Sequence, residues 1–308
     1  MGLTKSSTGT KLLEDDFNNF KNDNGYTIAL AGNPNVGKST IFNSLTGMHQ
    51  HTGNWPGKTV ANTTGKCDYK NSDFLFVDIP GTYSIMSNSE EEEIARDYIC
   101  FGEPDATVVV VDATCLERNL NLVFQIMEIT DKVVLCVNLL DEAKKKKIKI
   151  DLELLSKELG IPVVGTTARN KKTLDKLMDS IIKVCNNELI PYPKKIKYSS
   201  IIEENINKLE ETLKTSFNLP DNLCRWISLK IIDGEEKILE TIEKNLDISI
   251  INNSVIQNIK NSIQKDLNQK NITAETFKDY IVSSIMKKAE KVCKKVCCFE
   301  NENYSRKG

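Results

Sequence analysis

The sequence predicts two units: an α/β unit built on a doubly wound, mostly parallel sheet and, after it, an all-α helical bundle. Up to about residue 187, short apolar runs rich in β-branched residues alternate with segments whose apolar residues recur at helical spacing. Beyond that point no strand-like run is expected, because the remaining segments are amphipathic with a helical period. At 308 residues the chain is long enough for two compact domains.

Five apolar runs are predicted to be the strands of the parallel sheet: 26–31, 74–77, 106–111, 132–137 and 161–164. Segment 59–69 is predicted to pair antiparallel with the second of these strands, through a turn at Asn71-Ser72-Asp73. Apolar residues at helical spacing indicate helices between the strands: Ile41, Phe42 and Leu45; Leu116, Leu120, Val123 and Met127; Leu174, Leu177, Met178 and Ile181.

The rest of the chain is divided by composition and period. Residues 1–24 are polar and asparagine-rich, which predicts a flexible tail. We expect the α/β domain at 25–187, a proline-containing linker at 188–198, the helical domain at 199–285 and a basic helical segment at 286–308. Helices in this second part are predicted over 201–217, 223–232, 235–245, 255–267 and 273–296.

Composition excludes several classes of protein. A net charge of −2 with 27% charged residues argues against a duplex nucleic-acid binder, which needs a broad basic face. No stretch approaches the roughly 20 apolar residues that cross a bilayer, and the N-terminus lacks the apolar core of a secretory signal. The nine cysteines show no CxxC spacing, which favours reduced thiols. We therefore expect a cytoplasmic chain.

Residues 32–39 read Gly-Asn-Pro-Asn-Val-Gly-Lys-Ser, directly after an apolar run and directly before a helical pattern. This is the setting of a phosphate-binding loop, in which backbone N–H groups and a helix N-terminus surround a polyanion. Lys38 can reach the β- and γ-phosphates, and the Ser39 hydroxyl is placed to bind Mg²⁺. The predicted nucleotide-binding residues here are Asn33, Pro34, Asn35, Val36, Gly37, Lys38, Ser39 and Thr40.

Three further elements follow in order at strand ends. Asp78 precedes a Pro-Gly turn, where its carboxylate can hold the water shell of Mg²⁺ and the N–H of Gly81 can meet a γ-phosphate. Asn138 and Asp141 end another strand, and the Asp141 carboxylate can accept hydrogen bonds from guanine N1–H and N2–H, which adenine cannot supply. After the next strand comes Thr166-Thr167-Ala168-Arg169, and the backbone of this segment can meet the guanine O6. This order predicts a P-loop GTPase and leaves a P-loop kinase without a reason for Asn138 and Asp141.

With these elements in place, the chain resembles the translation-factor-like class of small GTPases. It resembles more closely the cytoplasmic part of the bacterial ferrous iron transporter family FeoB. The closer resemblance rests on residues 28–40, 42–47, 53–60 and 78–84, and on the tail 303–307. Leu139 also fits, since it stands where many GTPases have lysine. Many matching residues support the resemblance up to about residue 185, and fewer support it after that point.

The resemblance implies roles for individual residues. Gly57, Lys58 and Thr59 would belong to the first switch, in which Thr59 coordinates Mg²⁺ only while a γ-phosphate is present. Thr82 and Tyr83 stand where Ras-type enzymes carry a catalytic glutamine, so intrinsic hydrolysis is expected to be slow. Family members without that glutamine are linked to potassium activation, which makes Asn35 the expected K⁺ ligand. The expected catalytic residues are Lys38, Thr59, Gly81 and Asn35; the expected Mg²⁺ ligands are Ser39, Thr59 and, through water, Asp78.

The implied function is a module that binds GTP and GDP, hydrolyses GTP and regulates Fe(II) uptake at the cytoplasmic face of the bacterial membrane. Its helical unit would be a GDI-like domain that favours the GDP state, and its partner would be the membrane domain of the same protein. A homo-oligomer and small accessory transport proteins are left open as partners; nucleic acid is not expected. The alternative is a free-standing GTPase of ribosome assembly or tRNA modification, for which the helical unit shows no RNA-binding appendage.

Overall fold

The computed structural model describes residues 25–299, apart from 48–49, 56–57, 87–88 and 168–169. The strands in this part of the chain are β1 (Tyr26–Gly32), β2 (Gln50–Asn54), β3 (Ala61–Tyr69), β4 (Ser72–Asp78), β5 (Ala106–Asp112), β6 (Val133–Asn138), β7 (Ile148–Ile150), β8 (Val163–Gly165) and β9 (Cys297–Phe299). Seven of them form one sheet in the order β2-β3-β4-β1-β5-β6-β8, parallel except for β2 and β3 at one edge. The predicted doubly wound, mostly parallel sheet is confirmed.

Helices flank the sheet and then form the second unit. In the first part of the chain they are α1 (Lys38–Thr46), α2 (Glu90–Phe101), α3 (Leu116–Ile129), α4 (Leu140–Lys145), α5 (Leu152–Leu159) and α6 (Lys171–Cys185). The helical unit contains α7 (Ser200–Phe217), α8 (Asp221–Asp233), α9 (Glu236–Leu246), α10 (Ser254–Asn268) and α11 (Ala274–Val296). Each lies within a few residues of a predicted helix, so the predicted all-α bundle is confirmed.

The central strand β5 shows why the sheet strands are apolar throughout. Val108 and Val110 point to the face covered by α1 and α6, whereas Val109 and Val111 point to the face covered by α2 and α3. All four are fully buried. Since successive side chains of a strand alternate between faces, a sheet covered on both sides requires this unbroken apolar run.

The antiparallel pairing of β3 with β4 is confirmed, but the turn between them lies at other residues than predicted. Tyr69 pairs with Ser72, so the turn consists of Lys70 and Asn71 and not of residues 71–73. Both turn residues have positive φ, 49° and 62°, as a two-residue hairpin turn requires. β4 therefore begins at Ser72, two residues earlier than the apolar run that predicted it.

The end of the described chain agrees with one prediction and corrects another. The last helix ends at Val296, as predicted, but the basic segment does not stay helical beyond it, since Cys297–Phe299 form strand β9. β9 pairs antiparallel with β7, with Lys149 opposite Cys298, and the N–H of Asp151 donates to the Val296 carbonyl at 2.9 Å. The prediction that no strand follows residue 187 is therefore wrong. The predicted tail 1–24 and residues 300–308 lie outside the described residues.

The helical unit packs on α3 through α8 and α11, and the apolar cluster on that face of the sheet continues into the bundle. Within this contact, Arg225 of α8 donates two hydrogen bonds of 3.0 Å to Glu203 and one of 3.3 Å to Glu128 of α3. Burial raises the pKa of Glu128, and Arg225 opposes this shift. Burial acts in the same direction on Glu203, but hydrogen bonds from Arg225 and from the Tyr198 N–H outweigh it and lower the pKa.

Candidate nucleotide-binding site

The phosphate loop joins β1 to α1 in the predicted strand–loop–helix arrangement. Two of its residues have left-handed backbone conformations, Asn35 with φ 66° and Gly37 with φ 83°, and Gly37 directly precedes the first residue of α1. A β-carbon at Gly37 would lie 2.4 Å from Nδ2 of Asn138, and one at Gly32 would lie 2.5 Å from the Val110 carbonyl oxygen. Both positions therefore require glycine, as close packing of the loop against neighbouring strands demands.

Asn33 supplies the clearest sign that the loop is built for a ligand. Its side chain is only 2% exposed, yet neither Oδ1 nor Nδ2 has a hydrogen-bond partner among the described residues. Leaving a buried amide unpaired costs about 1–3 kcal/mol per group. A polar ligand held in the loop would remove this penalty, so the residues fit a phosphate-bearing group.

Lys38 is buried at the base of the loop and contacts the element that follows β4. Its ammonium forms an ion pair with Asp78 and donates a 2.7 Å hydrogen bond to the Ile79 carbonyl. Burial raises the pKa of Asp78, and the charge of Lys38 opposes the shift. The predicted phosphate-binding lysine and the predicted magnesium-shell carboxylate are therefore adjacent.

The loop after Asp78 lies against the phosphate loop. The Thr82 N–H donates to the Gly32 carbonyl at 3.3 Å, and a β-carbon added at Gly81 would lie 3.5 Å from the Cα of Pro34. Gly81 is itself exposed beside the loop. Gly81 therefore lies beside the loop in which phosphates are predicted to bind, and the contact of its N–H with a γ-phosphate stays a prediction.

Asn138 ties three loops together at the carboxyl edge of the sheet. It is fully buried, its Nδ2 donates to the Val36 carbonyl at 3.0 Å, and its Oδ1 accepts from the Thr166 hydroxyl at 3.1 Å. Val36 belongs to the phosphate loop and Thr166 to the loop after β8. The side chain predicted to belong to the base-binding site therefore acts, in this structure, as the anchor between that site and the phosphate loop.

The turn predicted to bind guanine has an unusual backbone. Leu139 adopts φ 60° and ψ 34°, a conformation that is rare for a branched side chain and is often found at functional sites. Asp141 follows in the first turn of α4 and is exposed, so its carboxylate is available to a ligand. No described contact links Asp141 to the phosphate loop, and its contact with guanine stays a prediction.

The segment predicted to be the first switch contacts α2. The Thr59 hydroxyl donates to Glu90 at 3.0 Å, and Lys58 pairs with Glu93 at 3.3 Å. Glu93 also pairs with Lys237 of α9, so one carboxylate joins the switch segment to the helical unit. Hydrogen bonds from Lys237, then from Lys58, outweigh a partial burial and lower the pKa of Glu93. Thr59 therefore lies at α2 and is not engaged with Ser39 or Asp78.

The remaining predicted residues are placed as follows. Ser39 and Thr40 are exposed in the first turn of α1, and the Thr167 N–H bonds to the Thr173 hydroxyl at 3.2 Å. Gly57, Ala168 and Arg169 lie outside the described residues.

In the described part of the chain, no group of three or more His, Cys, Asp or Glu residues is arranged to hold a metal ion. Nor does any helix within it combine the length and apolarity needed to span a membrane.

The sequence prediction missed two contributors to the site. Glu90 and Glu93 hold predicted residues in place without belonging to any recognised motif. Thr166 was expected to act only through its backbone, beside the base, whereas its hydroxyl holds Asn138. A signal for the two glutamates was present: Ser89 followed by four glutamates is a helix start, and Ser89 does accept a hydrogen bond from the Glu92 N–H. Nothing in the sequence indicates which residues would contact that helix.

The parallel sheet, the phosphate loop and the loops gathered at the same edge define a P-loop GTPase domain, here followed by a helical domain. The family model described as ferrous iron transport protein B matches residues 26–181, and the model of the FeoB cytosolic helical domain matches residues 198–298. The chain therefore belongs to the FeoB family, and the resemblance inferred from the motifs is confirmed.

Individual relatives agree with this assignment. The chain is 40% identical over 267 residues to the Fe(2+) transporter FeoB of Methanocaldococcus jannaschii, covering 85% of this chain and 39% of that protein. It is 39% identical over 221 residues to the Fe(2+) transport protein A/FeoB fusion protein of Porphyromonas gingivalis, covering 70% of this chain and 26% of that protein. The chain thus spans well under half the length of these relatives.

Solved structures match over both units. A mutant of S. thermophilus NFeoB bound to GDP is 30% identical with a TM-score of 0.74, and the match covers 89% of this chain and all of that one. The apo cytosolic domain of T. maritima FeoB is 31% identical with a TM-score of 0.71, covering 89% of this chain and 99% of that one. These matches include the helical unit, so the two-domain architecture is shared.

Proposed function

We propose that this chain binds GDP and GTP with Mg²⁺ through the loops at the carboxyl edge of its sheet and hydrolyses GTP. The observation that carries the proposal is the arrangement around Asn138, which joins the phosphate loop to the turn carrying Asp141. The unpaired buried amide of Asn33 and the adjacent Lys38 and Asp78 support it. The GDP-bound state of the S. thermophilus relative supports the choice of nucleotide.

The residues divide into phosphate, metal and base contacts. Lys38 would neutralise the β- and γ-phosphates, and the N–H of Gly81 would bind the terminal phosphate. Ser39, Asp78 through water and, in the triphosphate state, Thr59 would hold Mg²⁺, which supplies charge neutralisation at the bridging phosphate oxygens. Asp141 would select guanine, because adenine would leave its carboxylate without donors.

Calorimetry with GDP and ADP tests the base contact. Wild-type protein should prefer GDP by on the order of 10⁴-fold, and Asp141→Ala should lose most of that preference while its phosphate contacts remain. Glu142→Ala is the matched control, since it removes the neighbouring carboxylate of the same helix, which pairs with Lys145. Equal binding of GDP and ADP by the wild type, or an unchanged preference in Asp141→Ala, would overturn the proposal.

The second part of the proposal concerns hydrolysis. No glutamine follows Gly81, since Thr82 and Tyr83 occupy those positions, so the intrinsic rate should be slow. We propose K⁺, held by Asn35, as the cation that compensates charge in the transition state. Phosphate release should be faster in K⁺ than in Na⁺ buffer, and Asn35→Ala should remove the difference. Equal rates in the two buffers would reject the potassium site.

We further propose that residues 25–187 are the nucleotide-binding domain and residues 199–285 a GDI-like regulatory domain of an Fe(II) uptake transporter. The carboxylate of Glu93, which pairs with Lys58 of the switch segment and Lys237 of α9, supports a link between the two. The relatives' names as Fe(2+) transporters support a membrane domain of the same protein as the partner, at the cytoplasmic face of the membrane. Family membership favours this function over a free-standing GTPase.

A further inference from the structure

We propose that the end of the molecule formed by residues 144–149 and 287–295, here called the lysine-rich end, binds the anionic phospholipid headgroups of a membrane surface. These two segments contain ten lysines and a single acidic residue, Glu290. The chain as a whole carries a net charge of −2, so the rest of it is acidic. Positive charge is thus concentrated in one place on an otherwise acidic molecule.

The fold, and not the sequence order, brings the two segments together. They are separated by about 140 residues, but β7 and β9 pair antiparallel, with Lys149 opposite Cys298 and Ile148 opposite Phe299. β7 follows directly after Lys147, and β9 follows directly after the last turn of α11. The lysines before β7 and those at the end of α11 therefore lie at the same end of the molecule.

The lysines of α11 share one side of the helix. At 100° per residue, the five side chains fall within an arc of about 120°. Nine of the ten lysines in the two segments are exposed, and Lys288 is half-buried. The α11 lysines are Lys287, Lys288, Lys291, Lys294 and Lys295.

Few of these charges are compensated by neighbours. Lys145 pairs with Glu142, Lys294 with Glu290 and Lys295 with Glu158. Five others, by contrast, form no ion pair with any described residue: Lys144, Lys146, Lys147, Lys287 and Lys291. Partial burial, together with the charges of neighbouring lysines, lowers the pKa of Lys288, as expected where positive charges are crowded. An anion at this end would relieve that repulsion.

The occupant is inferred from the type of charge and from the apolar side chains beside it. All ten cations are lysines and none is arginine. These segments therefore lack a guanidinium group, which binds a phosphate or a base edge through two parallel hydrogen bonds. Met286, 56% exposed, directly precedes Lys287 in α11, and Phe299, 43% exposed, ends β9. Point charges flanked by exposed apolar side chains are suited to the interface of an anionic bilayer.

This surface is distinct from the nucleotide site, and the inference does not depend on GTP hydrolysis. The test is sedimentation of the 308-residue chain with vesicles of phosphatidylcholine alone or mixed with phosphatidylglycerol. We expect binding only to the anionic vesicles, and its loss at about 0.5 M salt, where the Debye length falls to a few ångströms. GDP affinity is measured on the same samples, so failure of the proposed function is seen separately.

Substitution localises the effect. Each lysine near an anionic surface contributes roughly a fivefold gain in partitioning, so Lys147→Gln, Lys287→Gln and Lys291→Gln together should weaken binding about 100-fold. These three residues have no described ion pair, so their removal should leave the fold and GDP affinity unchanged.

The matched control replaces three exposed lysines of the same helical unit that lie away from the lysine-rich end: Lys244→Gln, Lys265→Gln and Lys270→Gln. This variant should bind vesicles nearly as well as the wild type. Equal binding to neutral vesicles, equal loss in the control variant, or tight binding of single-stranded RNA with none to anionic vesicles would overturn the proposal.

Discussion

Replacing Asn138 with alanine should disconnect the two halves of the nucleotide site. In the wild type this fully buried side chain donates to the Val36 carbonyl at 3.0 Å and accepts from the Thr166 hydroxyl at 3.1 Å. Alanine makes neither bond. The Val36 carbonyl and the Thr166 hydroxyl would remain buried, each without its Asn138 partner.

The expected magnitude follows from those two groups. A buried polar group left unpaired costs about 1–3 kcal/mol, which applies in full to the Val36 carbonyl. The Thr166 hydroxyl keeps the Cys136 thiol, 3.2 Å away, as a weak partner, so the substitution should lower the free energy of unfolding of the α/β unit by about 2–4 kcal/mol. The phosphate loop would also lose its fixed position relative to the guanine-binding turn. If 2 kcal/mol of that loss must be recovered on binding, GDP affinity falls by about 30-fold.

The assay requires a signal from the α/β unit alone. The chain has two tryptophans, Trp55 in the α/β unit and Trp226 in the helical unit, so Trp226→Phe serves as the background. Urea unfolding followed by Trp55 fluorescence gives the stability of the α/β unit, and calorimetry gives the GDP dissociation constant.

Thr166→Val provides the matched comparison. It removes the hydroxyl but preserves the bond between Asn138 and Val36, so it should cost about 1–2 kcal/mol. In a double-mutant cycle the two changes should be non-additive by about 1 kcal/mol, since they share one hydrogen bond. A loss below about 1 kcal/mol for Asn138→Ala with unchanged GDP affinity would refute the anchoring role.

Four other predictions can be checked with the same measurements. Gly37→Ala should weaken GDP binding at least tenfold, because the loop requires a left-handed residue with no β-carbon there; unchanged affinity would contradict the close contact. Arg225→Met should lower the unfolding free energy by about 3–5 kcal/mol, because Glu128 stays buried without its partner; a loss under about 1 kcal/mol in urea would show that the pair is dispensable. The lowered pKa of Glu203 means that its contribution to stability is complete above its ordinary pKa of about 4.5 and is lost as pH falls through the lower folded value, so wild type should lose more stability in acid than Glu203→Gln. Glu93→Gln should leave GDP affinity within about threefold yet speed amide exchange in both the switch segment and α9, since both lysine partners of Glu93 reach solvent and such ion pairs contribute little to stability; faster exchange in only one of the two would argue against a bridge.

Periodicity explains which parts of the fold could be predicted. The parallel strands and the bundle helices are long segments with one clear hydrophobic period, and their predicted and observed bounds differ by only a few residues at most ends. β2 gave no such signal, because Gln50–Asn54 is polar and largely exposed at the edge of the sheet. β7 and β9 have three residues each and are paired across about 150 residues, so no local pattern indicates them.

The residues of the candidate site likewise divide into those that the sequence predicts and those that it does not. Lys38, Asp78 and Asn138 were predicted because the chemistry of a bound nucleotide fixes their types and their order along the strands. The contact of Thr59 with Glu90 could not be predicted, because it joins a loop to the first residue of α2 through side chains that are common on any polar surface. The left-handed conformation of Leu139 is likewise invisible in the sequence, since leucine does not ordinarily adopt it.

The pairing of β7 with β9 gives the molecule a mechanical path. Chain leaving β9 is fastened to a strand that directly follows α4, the short helix bearing Asp141. Because β9 also continues directly from α11, tension applied beyond Phe299 would act on the hydrogen bonds of this small sheet and, through β7, on the helix that carries Asp141.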